Sequence, residues 1–243
     1  MGQTLAIRCI SLAGSDRRPR MAAQLDAAGL DWAFFDACTA PPHDLPYLPD
    51  RALAVHGREL TPGELGCFAS HWALWKLVAA EDGPDLLLVL EDDLLLDPVF
   101  FSRLDAVAAA ARRFGYLRLY AKVPAGMRLE TSFLDRHVAR FSGRAYGTQA
   151  YLIDRASAQR WLSSIPAIVR PVDDEMDRYW QHGIPIRSVF PAPVIEVNYG
   201  STIEAKRRAS APLGRAQRMR WQGVKLGEKA RRHLADLAAR IIG

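Results

Sequence analysis

LLLVLEDDLLLDP, residues 86–98, is the stretch on which the fold turns. The aliphatic run Leu86–Leu90 reads as a buried strand, and three carboxylates, Glu91, Asp92 and Asp93, stand at its carboxyl end. Ionised carboxylates this close repel one another, and burial raises their pKa values. Either they cap a solvated turn, or a cation sits among them. In open α/β sheets ligands bind beyond the carboxyl ends of the strands. A divalent ion bridging to a diphosphate belongs in that place. Mg²⁺ and Mn²⁺ prefer carboxylate oxygen, and either ion relieves the repulsion.

Working outward, TLAIRCIS (4–11) reads as a first strand, and SDRRPRMAAQLDAAG (15–29) as a helix with Ser15 at its N-cap,. WAFFDA (32–37) is a second strand, followed by a Pro-rich connector to about Leu60,. The clearest helix starts at Thr61, where Thr61 and Glu64 form a capping box around Pro62,. Leu65, Phe68, Trp72, Trp75 and Ala79 then recur at helical spacing; Trp72 and Trp75 read as core, with stacking on a sugar as the alternative,. Further helices are expected near 98–113, 155–164 and 173–182, and strands at 116–121, 136–141, 146–153, 185–190 and 194–199. The alternation predicts an α/β layer architecture with a mostly parallel central sheet flanked by helices.

Four stretches, in order, resemble the lipooligosaccharide-biosynthesis glycosyltransferases (family 25), which include the collagen galactosyltransferases. They are ISLAGSDRRPRM (10–21), LTPGELGCFASHWALW (60–75), LLVLEDD (87–93) and YGTQAYLIDRASAQRWL (146–162), with RPVDDEMDRYWQHGIP (170–185) a looser fifth. The resemblance spans roughly residues 5–204. It implies a GT-A type domain over 1–204; the charge pattern sets residues 205–243 apart as a basic, partly helical tail. The resemblance also implies inverting transfer of a hexose, galactose foremost, from a UDP-sugar to a saccharide acceptor in lipopolysaccharide or other cell-surface glycan synthesis. Mn²⁺ or Mg²⁺ is the implied cofactor, held by Asp93 and Glu91.

Carried onto this chain, the donor set is Leu12, Arg17, Arg18, Glu91 and Asp92, with Asp92 alternatively turned outward. Arginine suits phosphate because it offers a fixed fork of donors. An inverting reaction needs a base for the acceptor hydroxyl, and Asp173 or Asp174 is the candidate. Carboxylates favoured by a helix N-terminus are the competing explanation. Ser70, His71, Thr148 and Gln149 are expected to line the site or meet the acceptor. The family pattern also implies His where IEVNY has Asn198, a weaker ligand for which Glu196 or His182 would compensate.

The three cysteines, Cys9, Cys38 and Cys67, have neither disulfide nor metal spacing and suit a reducing cytoplasm,. Arg8 interrupts any leader-like apolar segment, and Leu86–Leu90 is far too short to span a membrane,. Charge is uneven: from Ala205 onward stand eleven Lys/Arg against two Asp/Glu, a net +9, so of the chain's +5 the first 204 residues carry −4,. An acidic body argues against nucleic acid as its partner. The tail places Leu226, Ala230, Leu234, Leu237 and Ile241 at helical spacing among basic residues. That pattern suits an anionic membrane surface, putting the enzyme on the cytoplasmic face of the inner membrane near a lipid-linked acceptor. Packing on the body's own acidic surface is the competing reading. A non-catalytic nucleotide-sugar or saccharide-binding protein is the alternative function.

Overall fold

In the computed structural model, which describes residues 4–123, 126–197 and 214–242, the aliphatic run forms strand β3 (Leu86–Glu91) inside an eight-stranded sheet. Its side chains part by parity, as a pleated strand requires. Leu86, Leu88 and Leu90 enter one core with Met21, Leu25, Phe100 and Val107, and Leu87 and Val89 enter the other with Phe68, Trp75 and Trp161. Helices α1 (Arg18–Ala27) and α5 (Leu104–Ala111) close the first core. Helices α3 (Pro62–Ala79) and α6 (Arg155–Ser164) close the second. The capping box forms at Thr61 and Glu64 as expected, and Trp72 and Trp75 are core residues.

The strand order is β2 (Ala33–Asp36), β1 (Leu5–Ser11), β3, β8 (Ala150–Asp154), β5 (Tyr116–Arg118), β9 (Arg187–Phe190), β7 (Arg136–Phe141) and β6 (Met127–Phe133). The architecture is α/β, but the sheet is mixed rather than mostly parallel. Strands β2, β1 and β3 run parallel, as do β5 and β9, while β8 opposes both its neighbours and β7 opposes both of its own. Crossover helices build the first half; an exposed hairpin, β6–β7, reverses direction in the second. Strand β6 carries no apolar alternation, because this edge strand faces solvent along most of its length, which is why its sequence reads as a loop.

Other boundaries shift for local reasons. Helix α1 begins at Arg18, and the Ser15 hydroxyl turns to Asp92 instead of capping it. The connector holds a short helix, α2 (Pro49–Val55), with Pro49 at its first position. The 98–113 helix divides into α4 (Pro98–Phe101), α5 and a final 3₁₀ turn. The 173–182 helix divides into α7 (Val172–Met176) and α8 (Tyr179–His182), because the Asp177 carboxylate between them is drawn into the interior by Arg118.

Two features complete the frame. An antiparallel ribbon of β4 (Leu94–Leu96) and β10 (Val194–Glu196) sets Glu196 opposite Leu94, one residue beyond the acidic triplet. The basic C-terminal helix, α9 (Arg215–Ile242), packs on α2 and α8. Its contact reverses the expected polarity: the helix contributes the acids and the body the bases. Glu228 pairs with Arg144, Arg170 and Arg178, and Asp236 accepts from the Tyr179 hydroxyl at 2.5 Å.

Candidate active site

The three acids at the end of β3 take three different roles. Asp92 turns inward, not outward. Its Oδ2 accepts from Ser11 Oγ at 2.6 Å and Ser15 Oγ at 3.1 Å, and its Oδ1 lies 3.4 Å from the Arg17 guanidinium. Arg20 adds a bond to its backbone carbonyl. Asp92 thus ties the β1–α1 loop to the end of β3.

Glu91 faces the second core. Thr148 donates its hydroxyl to Glu91 Oε1, and His71 Nε2 stands 3.6 Å from the same oxygen. Tyr151 OH accepts from Trp75 Nε1 at 3.0 Å and meets His71 Nδ1 at 2.8 Å. The arrangement that gives each of these buried protons an acceptor has Tyr151 donating to Nδ1, so that His71 presents Nε2–H to Glu91. Burial alone would raise the Glu91 pKa, but His71, Thr148 and Lys122 outweigh it and hold the carboxyl below its usual range.

Asp93 is the strained member. Burial, with Glu91, Glu196 and Asp92 nearby, pushes its pKa up to about 7, against a partial counter-effect from Arg17. Its Oδ1 is buried without a hydrogen-bond partner. An orphaned carboxylate oxygen near the carboxylates of Glu91 and Glu196 fits a hard divalent cation, whose charge would remove the repulsion. Glu196 is already anchored by Tyr120 OH at 3.0 Å and Lys122 Nζ at 3.4 Å. Of the other expected compensators, His182 does not reach this cluster: it packs on Trp161, its Nδ1 accepts from Ile184 N, and burial depresses its pKa to about 4. Asn198 lies outside the described residues.

The remaining donor residues separate by exposure. Leu12 is exposed in the β1–α1 loop, and the half-buried Arg17 also approaches Asp93, at 4.0 Å. Arg18 is committed to structure, pairing with Asp36, donating to the Ser11 carbonyl and covering the Phe34 ring.

Two expected lining residues lie in the interior. Ser70 and His71 are fully buried. Ser70 Oγ bonds Cys38 N and the Gly66 carbonyl, and His71 acts on Glu91 from behind. Helix α3 is apolar on all sides here, so a Ser-His pair within it packs between layers. Thr148 likewise orients Glu91, while the Gln149 carbonyl receives the Glu91 N–H at 2.8 Å and its Oε1 is buried without a partner.

What holds this loop escapes a reading of the sequence. Tyr146 and Gly147 have φ of 53° and 82°. Arg118 donates to both their carbonyls, Asp177 Oδ2 accepts from Tyr146 N, and Arg118 and Asp177 pair at 2.7 Å with both side chains almost wholly buried. The available signal is Arg118 itself, a charge inside the apolar strand YLRLYA, which demands a buried counter-charge.

Asp173 and Asp174 diverge sharply. Asp174 is buried and paired with His56 Nδ1 at 3.3 Å and Arg144 at 2.8 Å. Burial opposes its ionisation, yet His56, Arg144 and Arg170 hold its pKa below the usual range. Asp173 is half-buried and opens on a cavity of about 300 Å³. Burial first, then the charges of Glu91 and Asp173, raise the Cys67 thiol well above its ordinary value. The thiol therefore stays neutral, and both carboxylates lie within electrostatic reach of it.

The chain matches the family model described as glycosyltransferase family 25 (LPS biosynthesis protein) over residues 5–176. It is 30% identical over 213 residues to the lacto-N-neotetraose biosynthesis glycosyltransferase LgtB of Neisseria meningitidis serogroup B, covering 75% of this chain and 72% of that protein. Procollagen galactosyltransferase 1 of Danio rerio is 30% identical over 174 residues, 66% of this chain and 28% of that protein. The inactive glycosyltransferase 25 family member 3 of Homo sapiens is 32% identical over 131 residues, 52% and 22%. The chain spans less than a third of the length of the animal relatives it matches.

Proposed function

Because the chain belongs to glycosyltransferase family 25, we propose that it transfers a hexose, galactose foremost, from a UDP-sugar to a saccharide acceptor with inversion at the anomeric carbon. The observation that carries this reading is Asp93, a buried carboxylate with an orphaned oxygen beside Glu91 and Glu196. Asp93 and Glu91 would hold a divalent Mn²⁺ or Mg²⁺ ion, with Glu196 a third oxygen source. Such an ion supplies charge stabilisation for a departing diphosphate. Arg17, at the rim, faces the phosphates.

Asp173 serves as the base. Its carboxylate takes the proton of the acceptor hydroxyl as that oxygen bonds to the anomeric carbon. The bond from that carbon to the diphosphate oxygen breaks, and the electron pair leaves with UDP. Asp174 is unsuited to this step, since His56 and Arg144 already occupy it. The names of LgtB and the procollagen enzyme favour a galactose donor and a glycan acceptor.

The test is UDP release from UDP-galactose with Mn²⁺, with and without chelator. Turnover that chelation abolishes is expected. UDP binding without turnover of any UDP-sugar would overturn the reading and favour a non-catalytic binding protein; one human relative of the chain is described as inactive.

The membrane contact rests on α9. Trp221, Glu228 and Ala235 face the body. At about 100° per residue, Met219, Leu226, Leu234 and Leu237 fall on the opposite side, and all four are exposed. Basic residues flank that stripe, and both described acids of the helix are spent on the body. This arrangement suits an anionic membrane surface. Among the described residues no helix is long and apolar enough to cross a membrane. The free cysteines suit a cytoplasmic location, at the inner face of the inner membrane,.

A further inference from the structure

We propose that the C-terminal helix α9 forms one wall of the saccharide-acceptor subsite, with Trp221 as its recognition residue. This rests on the transferase reading and extends it to a part of the chain outside the family match, which ends at residue 176.

The subsite is the cavity of about 300 Å³ lined by His56, Arg58, Tyr146, Asp173, Asp174 and Trp221. Its volume sits at the small end of ligand pockets, about 300–1,000 Å³, suited to the terminal sugar of a longer glycan. Its chemistry suits a neutral polyol. Arg58 is neutralised by two bonds to Glu64, at 2.7 and 2.6 Å, and Asp174 by His56 and Arg144. These paired groups offer hydrogen-bonding edges with little net charge, while Asp173 disfavours an anionic ligand. Tyr146 and Trp221 supply aromatic surface for the apolar face of a sugar ring.

The placement is built, not incidental. Tyr146 is locked by Asp177 and Arg118. Trp221 lies so close to Gly57, at φ +92°, that a Cβ there would stand 2.8 Å from the indole. Lys225 Nζ caps the ring 3.8 Å from its centroid. The Glu228 pairs to Arg144, Arg170 and Arg178 hold the helix one to two turns further on. Because Asp173 lines the same cavity, a hydroxyl of a sugar seated there meets the proposed base.

The experiment measures transfer from UDP-galactose to lactose and to N-acetylglucosamine by the full chain and by Trp221→Ala, Trp221→Phe and Leu226→Ala. The last lies on the outer face of the same helix and serves as control, and circular dichroism checks that α9 stays folded. The acceptor KM is expected to rise about tenfold in Trp221→Ala with less than a twofold change in donor KM. Trp221→Phe should recover most of the loss, and Leu226→Ala should match wild type. An unchanged acceptor KM, or equal rises in both KM values, overturns the proposal. Should no UDP-sugar turn over, saturation-transfer NMR with the same two saccharides decides separately. Signals present in wild type and lost in Trp221→Ala uphold the subsite, and signals absent or equal in both overturn it.

Discussion

Replacing Asp93 with Asn should make the metal-free protein more stable at pH 8 and leave its stability near pH 4 unchanged. The Asp93 carboxyl rises from 3.8 to about 7 on folding, through burial and the charges of Glu91, Glu196 and Asp92. A folded acid that holds its proton more tightly than the unfolded one is stabilised by protons. That contribution is complete below about pH 4, is lost as pH rises, and is gone above about pH 7. The full rise corresponds to about 4 kcal/mol at about 1.36 kcal/mol per pH unit. Water access to a side chain 20% exposed lowers the expected gain in Asp93→Asn to roughly 1–2 kcal/mol. For a chain of 243 residues that is about 2–8 °C in Tm. The assay is calorimetric or fluorescence melting in chelator at pH 4.5 and 8, then at pH 8 with Mn²⁺. Cation at a hundredfold excess over Kd adds about 2.7 kcal/mol to a protein that binds it; wild type should gain this and the variant should not. A variant that melts below wild type at pH 8, or equal Mn²⁺ gains in both proteins, refutes the account of Asp93 as a carboxylate awaiting a cation.

Asp173→Asn should lower kcat by about 10²-fold or more, the scale of a lost general base. Asp174→Asn should instead cost about 3 kcal/mol, because it leaves His56 and Arg144 facing a buried neutral group,; melting and steady-state kinetics on the pair separate the roles. Arg118→Met strands Asp177 in the interior and frees the 146–147 turn, so both stability, by about 3–5 kcal/mol, and turnover should fall. A double change of Leu226 and Leu234 to Glu, on the exposed side of α9, should abolish sedimentation with anionic vesicles and leave kinetics on soluble lactose as in wild type.

How much of this was legible follows from range of interaction. Strand β3, helix α3 and its cap depend on neighbours within a few residues, so periodicity and capping chemistry reveal them. The acid triplet's position at a strand end follows from the same local reading. The division of labour within the triplet does not, because Ser11, Ser15, Thr148 and Glu196 arrive from 57 to 105 residues away. Strand β6 hides because its side chains meet water. The split between α7 and α8 hides because its cause, Arg118, is 59 residues upstream. The tail's helicity and amphipathicity are local and visible, whereas its docking polarity depends on three arginines scattered through the body.

The inward turn of Asp92 bears on how related sequences should be compared. Strand β3 ends at Glu91, and Asp92 and Asp93 form the turn that follows; on the proposed reading the outer two acids would share a ligand while the middle one serves as masonry. The working unit would then be acid–spacer–acid, in which the spacer accepts hydrogen bonds from two serines and faces Arg17; Asn could keep the former but not the charge. On that reading, homologues with Asn at the middle position would keep both proposed ligands, whereas loss of either outer acid would remove one.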